Sequence, residues 1–209
     1  MDELEFDRLR DKMIREQIRG RGFDNEKVLQ ALDNVPRHLF VGEADRGRSY
    51  GDYPLPIGKG QTISQPYIVA LMTGALDLAG GEKVLEVGTG SGYQSAILAE
   101  MAGAVFTIER IPRLQEKARE VLDYIGYDNI FYKIGDGADG WPEEAPFEGI
   151  IITAAVREVP PPLLEQLVTG GRLVAPVGGP REQELLRLTS REHGFEKENL
   201  GKCRFVPLK

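Results

Sequence analysis

The sequence predicts an α/β protein: a doubly wound, mostly parallel sheet of seven strands, preceded by an N-terminal helical segment. Three observations predict it. Short apolar runs at residues 83–87, 104–109, 130–134, 149–153 and 172–177 are interspersed with helical patterns at 91–101, 112–125 and 160–168. Strands separated by helices imply right-handed βαβ crossovers and a parallel sheet covered on both faces. The run Val84, Leu85, Val87 leads straight into Gly88, Gly90 and Gly92, as a buried strand does when its backbone must approach a ligand. The tail breaks the alternation. Gln183–Thr189 and Cys203–Leu208 read as strands with no helix of ordinary length between them, which predicts a closing antiparallel pair.

Ahead of the sheet, Phe6, Leu9, Met13, Ile14 and Ile18 fall near helical spacing, and Gly20 and Gly22 end that segment. Asp24 or Asn25 caps a second helix carrying Val28, Leu29 and Leu32, which Pro36 stops. Residues 36–64 hold five glycines and three prolines and show no clean period. Their apolar residues, among them Phe40, Tyr50, Leu55 and Ile57, need somewhere to pack, so this stretch is expected to be ordered surface rather than linker. Pro66 then opens a helix whose apolar face is Val69, Leu71, Met72, Ala75 and Leu76. The 209 residues are expected to form one domain: residues 1–79 a helical and loop part, residues 80–209 a Rossmann-like core.

Composition excludes several function classes. A net charge of −7 argues against broad binding to phosphate backbones. Arg8, Arg10, Lys12, Arg15, Arg19 and Arg21 cluster, but Asp7, Asp11 and Glu16 are interleaved, which reads as a solvated helix face. Cys203 is the only cysteine, so an internal disulfide is impossible and a cysteine-based zinc site is excluded. His38 and His193 show no ligand spacing, and no metal is expected. With no signal-like or membrane-length apolar stretch, the expected setting is the cytoplasm, with neither nucleic acid nor membrane as partner.

Three loops follow successive strands, at 88–92, 109–112 and 135–140, and in a doubly wound sheet all three open on the carboxyl edge. Glu109, roughly 20 positions past the first glycine, is placed to accept hydrogen bonds from ribose hydroxyls, so a nucleoside-containing cofactor is expected there. Asp136 lies between Gly135 and Gly137, and either accepts from an adenine amino group or caps the following turn. Ser64 either caps the helix that Pro66 opens or covers the ligand edge. His38 and Cys203 read as structural groups. Tyr93 and Trp141 either wall the pocket or pack. A G-x-S-x-G elbow is absent, which argues against a serine hydrolase.

Segments along nearly the whole chain resemble protein-L-isoaspartate O-methyltransferases. They include Val35-Pro36-Arg37, Gly60-Gln61-Thr62-Ile63-Ser64-Gln65-Pro66, residues 84–94, Gly135-Asp136-Gly137, residues 170–178 and Arg204-Phe205-Val206-Pro207-Leu208. The 60–66 loop and the 204–208 ending are the most specific. The resemblance implies the sheet of the S-adenosylmethionine-dependent methyltransferase type. It implies S-adenosyl-L-methionine held by Glu86, Gly88, Thr89, Gly90, Gly92, Glu109, Arg110, Asp136 and Gly137. It further implies Ser64 as the active-site serine, with Thr62, Ile63, Phe205 and Val206 beside a peptide substrate, in an enzyme expected to be a monomer. The implied activity is methylation of the free α-carboxylate of L-isoaspartyl residues in damaged proteins, giving an ester that proceeds to succinimide. Two departures stand out: Glu148-Gly149 before the fourth strand of the core, and Cys203 with Lys209 around the ending.

Other classes share only parts of this pattern. A methyltransferase for a small molecule or RNA would share residues 83–137 but not the 60–66 loop or the ending. A nicotinamide dehydrogenase would share the glycine loop but should bring a Tyr/Lys or His pair, which is not found, and a non-catalytic nucleoside binder would show no turnover.

Overall fold

The computed structural model describes residues 1–208. Lys209, at the second departure noted above, lies outside the described residues. Helix α1 (Glu3–Lys12) starts on a capping box, with Asp2 accepting from the Glu5 amide and Glu5 reaching back to the Asp2 amide. It widens into a π turn over Met13–Ile18 that buries Met13 and Ile18, and the segment stops at Gly22. Arg10, Arg15 and Arg19 pair with Asp7, Asp11 and Glu26 at 2.7, 2.9 and 2.7 Å, so the basic cluster is an ion-paired surface face. Helix α2 (Glu26–Asn34) is capped by Asn25 and buries Val28, Leu29, Ala31 and Leu32.

Residues 36–64 contain 3-10 turns and a small antiparallel hairpin, β1 (Leu55–Gly58) with β2 (Gln61–Ile63). Leu55, Phe40 and Tyr50 are buried, so the segment is ordered as expected. Helix α3 (Pro66–Leu76) follows at once.

The main sheet grows outward from β3 (Lys83–Val87). On one side lie β4 (Ala104–Glu109) and then β5 (Ile130–Ile134); on the other lie β6 (Phe147–Ile152) and then β7 (Leu167–Gly178). These five strands are parallel. The antiparallel pair β8 (Gln183–Arg191) and β9 (Gly194–Cys203) completes the sheet beyond β7, giving the order β5-β4-β3-β6-β7-β8-β9.

Side chains alternate across the sheet and divide the core in two. Val84, Val105, Ile151 and Val174 pack with α3, with α4 (Tyr93–Ala99) and α5 (Pro112–Ile125), and with the N-terminal helices. Leu85, Val87, Phe106, Ile108, Ile150 and Leu173 pack on the other face, under the short α6 (Pro161–Glu165). One apolar cluster thus runs from Phe6 through Met72 into Val84 and Val174, fastening the helical N-terminal part to the sheet.

Several boundaries differ from the sequence reading, and the strand expected over 149–153 runs over Phe147–Ile152. The helix expected over 91–101 begins at Tyr93, because Gly90–Gly92 belong to the loop. The helix expected over 160–168 ends at Glu165, and β7 begins at Leu167, five residues before the expected strand at 172. The last strand is 194–203, not 203–208. An outer strand with mostly exposed residues, Gly-Phe-Glu-Lys-Glu-Asn-Leu-Gly-Lys-Cys, carries charge where an inner strand would carry apolar residues, so it leaves no alternating pattern to read. Residues 204–208 are apolar for another reason. They cross the sheet edge as a strap, with the Ala155 amide donating to the Val206 carbonyl at 2.8 Å and the Leu208 amide donating to the Ala155 carbonyl at 2.8 Å.

Candidate active site

A cavity of about 440 Å³ opens on the carboxyl edge of β3 and β4. Its floor is the glycine loop. Gly88 has φ +103° and Gly90 φ +56°, backbone that L side chains rarely adopt. A Cβ on Gly88 would run into Thr153 Oγ1, and Thr153 in turn donates to the Gly88 carbonyl at 2.7 Å. At Gly90 the space a Cβ would take is open apart from Ile57 Cδ1 at 3.6 Å, so the backbone there is bare to a ligand.

Glu109 holds this loop in place. It is buried at the end of β4, where Oε2 accepts from the Gly90 amide at 2.8 Å and Oε1 from the Ile111 amide at 2.9 Å. Each oxygen keeps a second lone pair, in a residue that lines the cavity. Arg110 and Gly137 also line it. Asp136 stands at the exposed rim, outside the lining; its Oδ1 accepts from the Ala138 amide at 3.0 Å, so the capping contact is made, and Oδ2 is unbonded among the described residues.

Glu86, which the resemblance places with the cofactor, does not line the cavity. Alternation along β3 turns it away from the cavity and under α4, where it is fully buried. Its Oε2 accepts from the Ser95 hydroxyl and from Thr107 Oγ1 at 2.7 Å, while Oε1 has no partner among the described residues. Burial pushes its carboxyl up to about 8, against the two hydroxyl bonds and with the Glu109 charge adding to the rise. Glu86 is therefore an uncharged structural acid below that pH. It touches the site only through Thr107, whose hydroxyl meets that of Thr89, a cavity residue, at 2.6 Å.

The opposite wall comes from the β1–β2 hairpin and the strap. Thr62, Ile63, Ser64, Phe205 and Val206 all line the cavity. The N-cap of α3 is Gln65, without a side-chain bond, and the Ser64 hydroxyl has no partner among the described residues, so Ser64 does not cap the helix. Its carbonyl is fixed instead, accepting from Arg37 Nη2 at 2.7 Å.

Of the two aromatics left open by the sequence, Tyr93 lines the cavity and packs edge-on to Phe40 at 5.5 Å, whereas Trp141 only packs, edge-on to Phe106 at 5.4 Å. His38 is buried elsewhere, stacked on Phe6 at 3.9 Å and bonded to the Tyr50 hydroxyl at 2.9 Å. Cys203 is half-buried, and burial pushes its thiol up to about 11, which disfavours the thiolate. Thr153, Ala154 and Gln94 line the cavity and were not singled out from sequence; Thr153 and Ala154 follow a parallel strand on the same edge, which is the signal that would have found them. Among the described residues no group of His, Cys, Asp and Glu could hold a metal ion, and no helix is long and apolar enough to cross a membrane.

A bare glycine backbone, a cavity-lining carboxylate and an open cleft of this size suit a nucleoside cofactor, and known proteins agree. The family model described as Protein-L-isoaspartate(D-aspartate) O-methyltransferase matches residues 8–209. A protein-L-isoaspartate O-methyltransferase of Syntrophus aciditrophicus is 56% identical over 211 residues, covering 100% of this chain and 96% of its own. One from Geobacter metallireducens is 54% identical over 206 residues, covering 98% and 95%. Among solved structures, a protein-L-isoaspartate O-methyltransferase superposes with a TM-score of 0.87 at 26% identity, covering 96% of this chain and 66% of that one. A Plasmodium falciparum protein assigned to the same activity, in complex with S-adenosyl-L-homocysteine, gives a TM-score of 0.82 at 26% identity, covering 95% and 97%. With its glycine loop, its hairpin serine and its C-terminal strap all gathered on one cavity, this chain belongs to the protein-L-isoaspartate(D-aspartate) O-methyltransferase family.

Proposed function

We propose that this protein transfers the methyl group of S-adenosyl-L-methionine to the free α-carboxylate of L-isoaspartyl residues in proteins and peptides. The observation that carries the reading is the Ser64 hydroxyl, without a partner among the described residues, which lines the same cavity as the Gly88–Gly90 backbone and Glu109.

The residues present fit the cofactor. Gly88, Thr89 and Gly90 would carry its amino-acid part, with Gly92 shaping the loop against Ala118 and Leu122; Glu109 would accept from the ribose hydroxyls, and Arg110, Gly137 and the rim residue Asp136 would flank the adenine. Bound there, its sulfonium supplies an already activated methyl group. An isoaspartyl α-carboxyl has a pKa of about 3.5 and is ionised at neutral pH, so the nucleophile needs no general base. Alignment is the remaining task, and alignment alone can be worth roughly 7–11 kcal/mol of barrier. Ser64 donates its hydroxyl hydrogen to one carboxylate oxygen and leaves the other free to attack. Thr62 and Ile63 offer β2 backbone to the peptide on one side, and Phe205 and Val206 offer the strap on the other. Recognition through backbone suits a substrate of many sequences. The ester formed then closes to a succinimide as the neighbouring amide nitrogen attacks and methanol leaves.

In the same reading the whole chain works as one domain, with residues 1–79 supplying the hairpin side of the substrate wall and 80–209 the cofactor floor and the strap; the shared apolar cluster supports this. The protein acts as a monomer in the cytoplasm, independent of nucleic acid and membrane, and its net charge of −7 supports the first exclusion.

The test is transfer from methyl-labelled S-adenosyl-L-methionine to two peptides that differ only in isoaspartate or aspartate at one position. Base-labile label on the isoaspartyl peptide alone is expected. Label on neither, with the cofactor still bound, overturns the substrate and redirects the search to small-molecule or RNA acceptors.

A further inference from the structure

Arg37 is the largest fully buried side chain of the molecule and does not line the cavity. It opens the 3-10 turn Arg37–Phe40, directly after α2, so its backbone is anchored by the buried Leu32 and Val35. A guanidinium taken out of water needs partners. Those of Arg37 are carbonyls rather than carboxylates: Nε donates to the Ser49 carbonyl at 2.6 Å and Nη2 to the Ser64 carbonyl at 2.7 Å, while Nη1 has no hydrogen-bond partner among the described residues. Its Cζ lies 4.8 Å from the centre of the Tyr93 ring, and Tyr93 is the first residue of α4, immediately after Gly92. One planar cation therefore binds the peptide unit that follows the Ser64 side chain and rests on the helix that follows the glycine loop.

We infer that Arg37 is a positioning residue for the reaction: it fixes Ser64 relative to the cofactor loop by gripping the Ser64 carbonyl while its Cζ lies over the Tyr93 ring. The inference rests on Ser64 orienting the substrate carboxylate, as proposed above. The fork of the guanidinium is what the arrangement requires. A lysine ammonium is a compact point charge that cannot span both carbonyls and keep its charge over the ring. In hydrogen bonds the hairpin before Ser64 is lightly held, since β2 is three residues long and pairs only with β1; its other anchor is the packing of Leu55 and Ile63 into the core.

The test is a double-mutant cycle with Arg37→Lys and Ser64→Ala, read as kcat and KM for an isoaspartyl peptide and as affinity for S-adenosyl-L-homocysteine by calorimetry. Arg37→Lys is expected to lower kcat by about 10- to 100-fold with cofactor affinity held within roughly 2-fold. In the Ser64→Ala background the same change is expected to cost less than about 3-fold, because there is no hydroxyl left to misplace. Losses that multiply overturn the inference while leaving the role of Ser64 standing. No effect of Ser64→Ala overturns the role of Ser64 itself, and the inference with it. Hydrogen exchange on the unsubstituted protein gives a reading that no folding defect can spoil. Amides of residues 61–65 are expected to open with those of residues 37–50, and exchange of 61–65 faster by orders of magnitude overturns the inference.

Discussion

At the scale of single residues, the site separates groups that touch the reactants from groups that hold them. Ser64→Ala removes one orienting hydroxyl and is expected to lower kcat/KM for an isoaspartyl peptide by about 10- to 100-fold, with cofactor affinity unchanged. Glu109→Ala is expected to do the reverse. It releases the Gly90 and Ile111 amides at the loop and removes a carboxylate from the cavity, so cofactor Kd should rise by roughly 10-fold or more. Calorimetry beside steady-state kinetics checks both, and equal cofactor loss in the two variants defeats this division of roles. Glu86 carries a pH dependence instead. Its carboxyl is raised by burial to about 8 in the folded protein, so it keeps its proton while the unfolded chain loses it. The folded state then binds more protons than the unfolded state from about pH 4.5 to 8, and stability falls as pH rises through that window. Glu86→Gln stays neutral throughout. The variant is expected to abolish this part of the slope and to gain stability at pH 8 relative to the unsubstituted protein, by an amount of the order of a few kcal/mol. Denaturant midpoints at pH 5, 6.5 and 8 measure it, and parallel pH profiles for the two proteins would show Glu86 to be charged when folded.

At the scale of elements, the strand-loop-helix unit β3, Gly88–Gly92, α4 works because its turn is built from positive-φ backbone. Gly88→Ala meets two obstacles together, the +103° φ and the Thr153 hydroxyl, and Thr153 cannot yield without releasing the Gly88 carbonyl. The substitution is expected to lower stability by about 1–3 kcal/mol and to abolish measurable cofactor binding. Unfolding curves and calorimetry are the measurements, and normal binding by the alanine variant contradicts this account of the loop. The strap is the second element with a function. It is tied down by the Ala155 amide and carbonyl and by Gln183 Oε1, which accepts from the Phe205 amide at 2.8 Å. Deleting residues 205–209 removes these bonds and one cavity wall while leaving the sheet paired. The melting temperature is expected to fall by only about 3–8 °C, with peptide turnover reduced more than about 10-fold and cofactor affinity much less affected. A collapse of cofactor binding in step with turnover would place the strap with the cofactor instead.

At the scale of the whole molecule, the sequence and the structure divide the information along physical lines. Local signals were legible because they report local constraints. The positions of β3, β4, α5 and β5 match the expected ranges residue for residue, since apolar period and terminal glycines are set within each segment. The specific loops at 60–66 and 204–208 were enough to indicate the family. The outermost strand was misplaced because β9 is an exposed edge whose register depends on β8 and not on its own composition. Glu86 looked like a ligand because it sits beside the glycine loop in the chain; only the pleat of β3 shows that it faces α4. Arg37 carried no legible role at all, because its partners, Ser49, Ser64 and Tyr93, lie 12, 27 and 56 positions away. By itself, then, the sequence determined the alternation of strands and helices in the parallel core, the glycine loop and the family, all fixed by short-range backbone and hydrophobic requirements. The tertiary structure decided which side of the sheet each polar group serves, how the last strands close, and what holds Ser64, because each of those is set by a partner distant in the chain.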